Sequence, residues 1–539
     1  MALRERYRHA TLASALAHRA TIGAQDEFLI HRGRTWSLGE IDTQAEALAA
    51  SLHGFGVEAG DRVALVLPQC PEFVVGLFAA ARLGAVVVPL SPSLTPAELR
   101  YRLRHSEAVA AITVEVHDEV DFLERFEAMM PQLPELKHLV TVGEDDLWYG
   151  DRVFQWEDVV SAGAGRDYAS ADPATDPSAP LVLVYTAGTT GKPKAVTLSH
   201  ANLLYGATVT ADTLGLRSDD RVVGLSALHH VFGLGPGLLG CLLSGATLIL
   251  AERADPGEVL DLVEAHGVTV LYGIPTLFFG ELGEQERRPR NLSSLRVALA
   301  AGAPVPESLL RRVEAELCSP LLVAYSTTET GSIVSLTLPG DPGGDRRTTV
   351  GRPLAETRVR ILEEGRELPE ESIGEVAVSG PGVMAGYYRQ PLETRESFDA
   401  DGFFVTGDLG MVDEDGFLHL VGRRKGVIIR TGFNVYPREV EDRIRAHPAV
   451  HEVAVVGIPD SVLGEAICAC VIPVEGAIVD EEDLRDWCRE TLSDEKVPDL
   501  VRLLDRFPRT ATGDVRKVEL ARWIEGGPPT GSEDQADTE

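Results

Sequence analysis

The chain has 539 residues, 50 of them basic and 83 acidic, for a net charge of −33. That length favours two or more domains over one core, and so acidic a chain is a poor match for nucleic acid or an anionic membrane surface. The six cysteines (Cys70, Cys241, Cys318, Cys468, Cys470 and Cys488) form no C-x-x-C pair, which argues against a zinc site or a disulfide framework. The charged start Met1-Ala-Leu-Arg-Glu-Arg lacks a signal-peptide apolar region, so the expected location is cytoplasmic.

Hydrophobic spacing predicts an amphipathic helix over 38–55, a strand over 62–67, a helix over 71–83 and a strand over 85–89, the β-α-β rhythm of a doubly wound sheet. Residues 231–251 are apolar for about the length of a membrane span. Gly233, Gly235, Pro236, Gly237, Gly240 and Gly245 divide that run, and the reading is a buried helix followed by a strand at 246–250, with no membrane span. Strands at 269–272, 297–300 and 321–324 predict a second parallel sheet, and two similar halves suggest a cleft. From about Thr349 the pattern becomes turn-rich, with a strand at 374–380 marking a β subdomain. A basic link near 422–426 leads to a helix (437–446), two strands (452–457 and 466–472) and a helix (481–492), which predict a separate α+β domain of ~100 residues. The last stretch, 526–539, is polar and acidic and is expected to be disordered.

The apolar run 181–184 leads into Tyr185-Thr186-Ala187-Gly188-Thr189-Thr190-Gly191-Lys192-Pro193-Lys194-Ala195-Val196. Gly188 and Gly191 allow a turn with inward N–H groups, Thr186, Thr189 and Thr190 add hydroxyl donors, and Lys194 adds charge, a set suited to phosphate. A Walker loop would carry Ser or Thr after its lysine; Pro193 follows Lys192 here, so that NTPase reading fails.

This loop resembles the signature of the adenylate-forming enzymes: acyl-CoA synthetases, luciferases and peptide-synthetase adenylation domains. Ala187 and Ala195 stand where Ser and Gly are usual. Five further stretches match in the right order, so the resemblance runs from Thr35 to Leu520. It implies a large N-terminal domain over 1–422, a hinge at 423–426 and a small mobile α+β domain over 427–525. In Tyr325-Ser326-Thr327-Thr328-Glu329 it implies an aromatic against adenine, Thr328 on the α-phosphate and Glu329 on Mg²⁺, where a hard cation takes carboxylate oxygen. Gly302 and Ala303 fall in the adenine-side loop, Asp408 in a ribose-binding turn, and Arg423 within reach of the same sugar. His230, Val231, Gly233, Gly273 and Ile274 fall along the acyl pocket, where Phe278 and Phe279 nearby favour a hydrophobic acid: a fatty chain, an aryl acid or a bulky polycyclic one. The run 428–441 most resembles the fatty acyl-CoA synthetase branch. The resemblance places Lys425 at the hinge and Gly432 on a loop lining the tunnel for the CoA thiol. Arg424, Lys425, Arg430, Arg438, Arg443 and Arg445 make this region basic, as phosphate-rich CoA would require or as a solvated helix face would also give.

One departure bears on the chemistry. Family members end in a motif like Pro-Lys-Thr-x-x-Gly-Lys, whose last lysine bridges the substrate carboxylate and the α-phosphate during adenylation; here Asp514 stands in its place. Each charge pair is worth on the order of 4 kcal/mol at ~4 Å and an effective dielectric of ~20, so replacing attraction by repulsion approaches ~8 kcal/mol. Even half that swing would slow adenylation ~1000-fold. Three readings follow. The enzyme takes a preformed acyl-AMP, supplied by a separate adenylating enzyme, and transfers the acyl group to CoA or to a carrier-protein thiol. Alternatively it is a complete ligase using ATP and Mg²⁺, with Lys517 or another lysine replacing the lost one. In the third reading it is a pseudoenzyme that only binds acyl-AMP.

Overall fold

Helix starts follow from side chains that satisfy the first free N–H groups. Ser37 and Glu40 cap each other at the head of Leu38–Gly54, Thr95 and Glu98 at Pro96–Ser106, and Ser199 and Asn202 at His200–Leu214. The Pro71–Leu83 helix is apolar on almost every side and is buried nearly throughout, as a helix lacking a polar face must be. These elements belong to a computed structural model that describes residues 2–143, 152–166, 176–186, 193–224, 227–253, 255–342, 347–423, 426–430, 433–460, 463–492, 494–509 and 514–526. The expected acidic tail past Gly526 lies outside the described residues.

The chain divides into two compact units. The larger holds Met1–Arg360, Ala377–Val405 and Gly416–Leu418, and the smaller Ile361–Val376, Thr406–Asp415 and His419–Glu539.

Two sheets build the larger unit, as the alternating strand and helix signals predict. Among the described residues the first has nine strands, in the order Arg352–Pro353, Ser332–Leu336, Leu321–Thr327, Val297–Ala300, Val270–Gly273, Arg221–Gly224, Thr247–Leu250, Glu27–His31 and Arg34–Ser37. From Leu321–Thr327 to Glu27–His31 the strands run parallel. The second sheet has eight: Gly386–Tyr387, Lys194–Ser199, Pro180–Thr186, Val86–Leu90, Arg62–Val66, Ala108–Val114, His138–Val142 and Val153–Gln155, parallel from Pro180–Thr186 onward. Parallel sheets need cover on both faces. One continuous core joins Leu65 and Val87 of one sheet to Val222 and Leu248 of the other through Leu48, Phe73, Phe78 and Leu204 on helices.

The apolar run 231–251 breaks where its glycines and proline dictate, into a π-helical Gly233–Leu239 around Pro236, a helix Gly240–Ser244 and a strand Thr247–Leu250. Among the described residues no helix is long and apolar enough to cross a membrane. All six cysteines are free and buried.

A further five-stranded sheet, made of Arg358–Glu363, Arg366–Glu367, Gly374–Ser379, Phe404–Val412 and Leu418–Arg423, supplies residues to both units and corresponds to the expected β subdomain. In the smaller unit Phe433–Val435, Ile428–Arg430, Gly464–Pro473 and Val450–Asp460 form a sheet, with Leu500–Leu503 beside Gly464–Pro473. Helices Pro437–Arg445, Glu481–Arg489 and Lys517–Gly526 accompany it. Val440, Ile444, Val455, Ile467 and Leu484 form its core.

One core residue of the larger unit is chemically out of place. Glu281, on the Pro275–Arg287 helix, is fully buried, and neither of its carboxyl oxygens has a hydrogen-bond partner. Burial pushes this carboxyl well above the usual range of 4.5, so the folded chain holds it protonated. The unfolded chain ionises it from about pH 4.5 upward. Stability therefore falls as pH rises from there towards the raised folded value, by about 1.4 kcal/mol per pH unit within that window. Glu281→Gln is expected to match the parent Tm near pH 4 and to exceed it at pH 8; thermal unfolding at both pH values checks this, and an equal gap at the two would exclude ionisation as the cause.

Candidate functional site

The sequence-predicted residues of the larger unit gather because strand ends do. Thr186 closes Pro180–Thr186 and pairs across an antiparallel register with Lys194, the first residue of the next strand. Both legs of the glycine-rich loop are held by the Pro96–Ser106 helix: the Tyr101 hydroxyl donates to the Pro193 carbonyl at 3.4 Å, and the Tyr185 hydroxyl to the Arg102 carbonyl at 3.0 Å. His105 Nδ1 lies 2.8 Å from the same Tyr185 hydroxyl. Gly188, Thr189, Thr190 and Gly191 lie outside the described residues, as do Lys425 and Gly432.

Thr328 and Glu329 sit on a single 3-10 turn between Leu321–Thr327 and Ser332–Leu336. The Thr330 hydroxyl fixes that turn, donating to the Thr327 carbonyl at 2.9 Å while accepting from the Thr327 N–H at 3.2 Å. Gly331 ends it at φ +65°, where a Cβ would stand 2.6 Å from the Gly382 carbonyl, so any side chain there would displace backbone. Tyr325 lies buried two turns of pleat earlier on the same strand.

Tyr387, which the sequence reading passed over, connects these two groups. Its ring lies under Lys194, with Nζ 4.4 Å from the centroid, and its hydroxyl donates to Glu329 Oε1 at 3.0 Å. Burial first, and then the Glu329 carboxylate, push the phenol well above its ordinary range, so it remains a donor. The backbone beneath is fixed: Tyr387 N–H donates to Thr394 Oγ1 at 2.9 Å, and Val196 pairs with Tyr387 across the sheet. The one available signal was the Gly386-Tyr387-Tyr388 run ahead of Pro391, which alone resembles any turn.

Gly273 ends one parallel strand beside Ala300 of the next, and the Ala301 N–H donates to the Gly273 carbonyl at 3.2 Å. Ile274 then lies against Gly302, 3.5 Å from where a Cβ would be, with Ala303 partly buried beside it. Phe278 packs behind Gly273, within 3.1 Å of a Cβ built there; Phe279 is 44% exposed and does not contribute to the lining, because it falls on the outer face of its helix. Val231 and Gly233 are buried after His230, whose ring lies 4.6 Å from that of His229. Burial, then the positive charges of His230 and Arg102, push His229 down to about 3, so its ring is neutral at ordinary pH.

In the smaller unit Asp408 Oδ1 meets Arg423 Nε at 2.9 Å, with Asp408 buried and Arg423 exposed. Thr406 shapes the turn, accepting from the Asp408 N–H at 3.1 Å and donating to the Val376 carbonyl at 2.9 Å. Asp514 is exposed beside an antiparallel bridge between Arg509 and Val515. Lys517 bonds to Glu441 Oε1 at 2.5 Å, an oxygen that also accepts from the Val455 N–H at 2.7 Å. The expected basic surface needs correction. Arg430 makes paired bonds to Asp499, Arg443 contacts Glu490 at 2.6 Å, Arg445 contacts Asp442 at 2.5 Å, and Arg438 donates to the Leu420 carbonyl. These guanidinium groups stitch the small unit together.

A cation, hydroxyls and one carboxylate at neighbouring strand ends suit a phosphate and a divalent ion. Among the described residues no cluster of three or more His, Cys, Asp or Glu could hold a metal by itself. Among the described residues of this group, Glu329 is a carboxylate that could hold Mg²⁺, a hard cation that takes oxygen ligands. Residues 16–388 match the family model of the AMP-binding enzymes, and 439–514 that of the AMP-binding enzyme C-terminal domain. The chain belongs to the AMP-binding enzyme family. This AMP-binding enzyme is 31% identical over 533 residues to the putative acyl-CoA synthetase YngI of Bacillus subtilis (strain 168), covering 95% of this chain and 96% of that one. It is 34% identical over 520 residues to a feruloyl-CoA synthase of an Amycolatopsis species, covering 96% and 99%. The anthranilate CoA ligase AuaEII in complex with anthranoyl-AMP superposes with a TM-score of 0.88 at 26% identity, covering 97% and 99%. The chain is thus acyl-CoA synthetase-like in family and fold.

With Tyr387 between them, Lys194 and Glu329 stay apart, each available to a ligand. Tyr387→Phe keeps the ring and loses one hydrogen bond to a charged group, so MgATP affinity is expected to fall about tenfold, with metal-free AMP affinity unchanged. Tyr387→Leu lets the two charges close on each other and should weaken both. Calorimetric titration of the two variants checks this; equal affinities in Tyr387→Phe and the parent for MgATP would exclude the positioning role.

Proposed function

We propose that this AMP-binding enzyme forms an acyl-CoA thioester from CoA and the acyl-adenylate of a hydrophobic carboxylic acid, with its own adenylation step crippled by Asp514. In this reading Thr186, Gly188, Thr189, Thr190, Gly191, Lys194 and Thr328 hold the single phosphate, Glu329 takes Mg²⁺ when ATP is present, and Tyr325, Gly302 and Ala303 flank adenine. Asp408 and Arg423 take the ribose. The thiol of CoA attacks the acyl carbonyl, AMP leaves, and the protein's contribution is alignment. The proposal includes a hinge at 423–426, a cytoplasmic location and a separate enzyme that supplies the adenylate.

The observation that carries it is the charge at the end of the chain. Position 514 is an aspartate, and the lysine nearest to it in sequence, Lys517, is engaged by Glu441. A Glu441 oxygen already held by the Val455 N–H makes a fixed anchor, and removing Lys517 from it would strand a buried carboxylate. A second reading, a complete ATP-dependent ligase, is favoured by one fact: relatives over almost the whole chain bear the names of acyl-CoA synthetases and synthases.

Paired assays separate the readings. Free acid, ATP and Mg²⁺ are expected to give background pyrophosphate exchange, and synthetic acyl-AMP with CoA is expected to give thioester. Exchange well above background would establish the complete ligase; absence of thioester would leave a binding protein. Asp514→Lys is expected to raise exchange by roughly 1000-fold, the rate equivalent of one restored charge pair.

A further inference from the structure

Among the described residues, Arg102 forms no ion pair. Its guanidinium lies beside the Tyr185 ring, 5.8 Å from the centroid, and its Nε and Nη1 are buried with no hydrogen-bond partner. Three arginines of the larger unit show the matched arrangement: Arg296 meets Asp220 at 2.7 Å, Arg290 meets Asp261 at 2.9 Å and Arg19 meets Asp26 at 3.1 Å. Glu98, one turn earlier on the helix of Arg102, is committed to Thr95, accepting from its N–H at 3.0 Å and from its hydroxyl at 2.9 Å. Withdrawing guanidinium donors from water without an anion is costly, and a chain with 83 acidic residues had ample means to supply one.

The position is informative. Tyr185 directly precedes Thr186 at the foot of the glycine-rich loop, and the charge of Arg102 is felt at His229, next to His230 on the acyl side. His229 is neutral and brings neither a partner nor a competing cation. We propose that Arg102 is an oxyanion subsite, its guanidinium taking a carboxylate or phosphoryl oxygen of the reacting ligand beside Tyr185, at the end of the Pro180–Thr186 strand. This rests on the acyl-adenylate reading and deepens it: the larger unit contributes a positive charge of its own, in a chain that carries Asp514 at the position of the family's terminal lysine. A guanidinium suits the task because its planar donors accept two oxygens of one anion.

The test uses the full chain, Arg102→Gln and Arg102→Lys, with four probes: adenosine, AMP, inorganic pyrophosphate and octanoate. Because the buried donors have no protein partner, Arg102→Gln is expected to keep the ligand-free Tm. It should weaken at least one anionic probe by roughly 10- to 100-fold, the scale of a charged hydrogen-bonded contact, and leave adenosine affinity unchanged; Arg102→Lys should retain part of the lost affinity. Loss on octanoate assigns the carboxylate of the acid, and loss on AMP or pyrophosphate assigns a phosphoryl oxygen. Anionic affinities all within about twofold of the parent would overturn the subsite, as would a lowered Tm with adenosine affinity lost in parallel, the mark of a structural arginine. A parent chain that binds adenosine but none of the anions overturns the subsite alone. If it binds neither adenosine nor AMP, the acyl-adenylate reading falls as well.

Discussion

Parallel strands in one sheet finish on the same edge, and most of the candidate site depends on that constraint. The register that pairs Gly273 with Ala300, and Ala300 with Val323, brings the 273–274, 301–303 and 325–329 segments together although tens of residues separate them in sequence. The second sheet delivers Thr186 in the same manner. In open α/β sheets the carboxyl ends of strands are where loops are free to carry chemistry while the strands supply rigidity. A one-residue slip in any of these ladders would turn each side chain to the opposite, equally buried face of its sheet, so the packing of Val222, Leu248, Leu65 and Val87 also fixes the site.

The electrostatics are arranged by spacing as much as by pairing. Lys194 and Glu329 carry opposite charges on adjoining elements, yet Tyr387 offers the first its ring face and the second its hydroxyl. Each charge gains a weak partner that a ligand can displace. In the smaller unit the pattern is reversed: Arg430, Arg443, Arg445 and Lys517 meet carboxylates directly, and their charges serve the fold.

What the sequence reveals follows from how local each signal is. The Leu38–Gly54 and Pro71–Leu83 helices and the Val297–Ala300 strand are legible because caps, proline and apolar spacing act within a few residues. Leu500–Leu503 and Lys517–Gly526 escape notice, since the first is four residues long and the second has charged residues at its start and mixed character thereafter. Candidate site residues carried by dense motifs, such as Thr186, Thr328, Glu329 and Asp408, are legible from their neighbours. Tyr387 and Arg102 are not, because each acquires meaning only from a residue far away in the chain: Glu329 for one, Tyr185 and His229 for the other. The basic run in 424–445 misleads for the same reason. Its neutralising partners, Asp499 and Glu490, lie beyond the stretch in which the charge was counted.

The strand that carries Tyr387 has a second consequence. Gly386–Tyr387 is one of the two outermost strands of the eight-stranded sheet, and it is two residues long. An exposed strand of ordinary length offers a row of unpaired amide groups to any passing chain, a common beginning of edge-to-edge aggregation. Here the row stops almost at once: Pro391 begins a short helix, and Thr394 Oγ1 occupies the Tyr387 N–H. The segment that supplies the tyrosine thus also blunts this edge of the sheet against self-association, so lengthening it would endanger solubility before it disturbed chemistry.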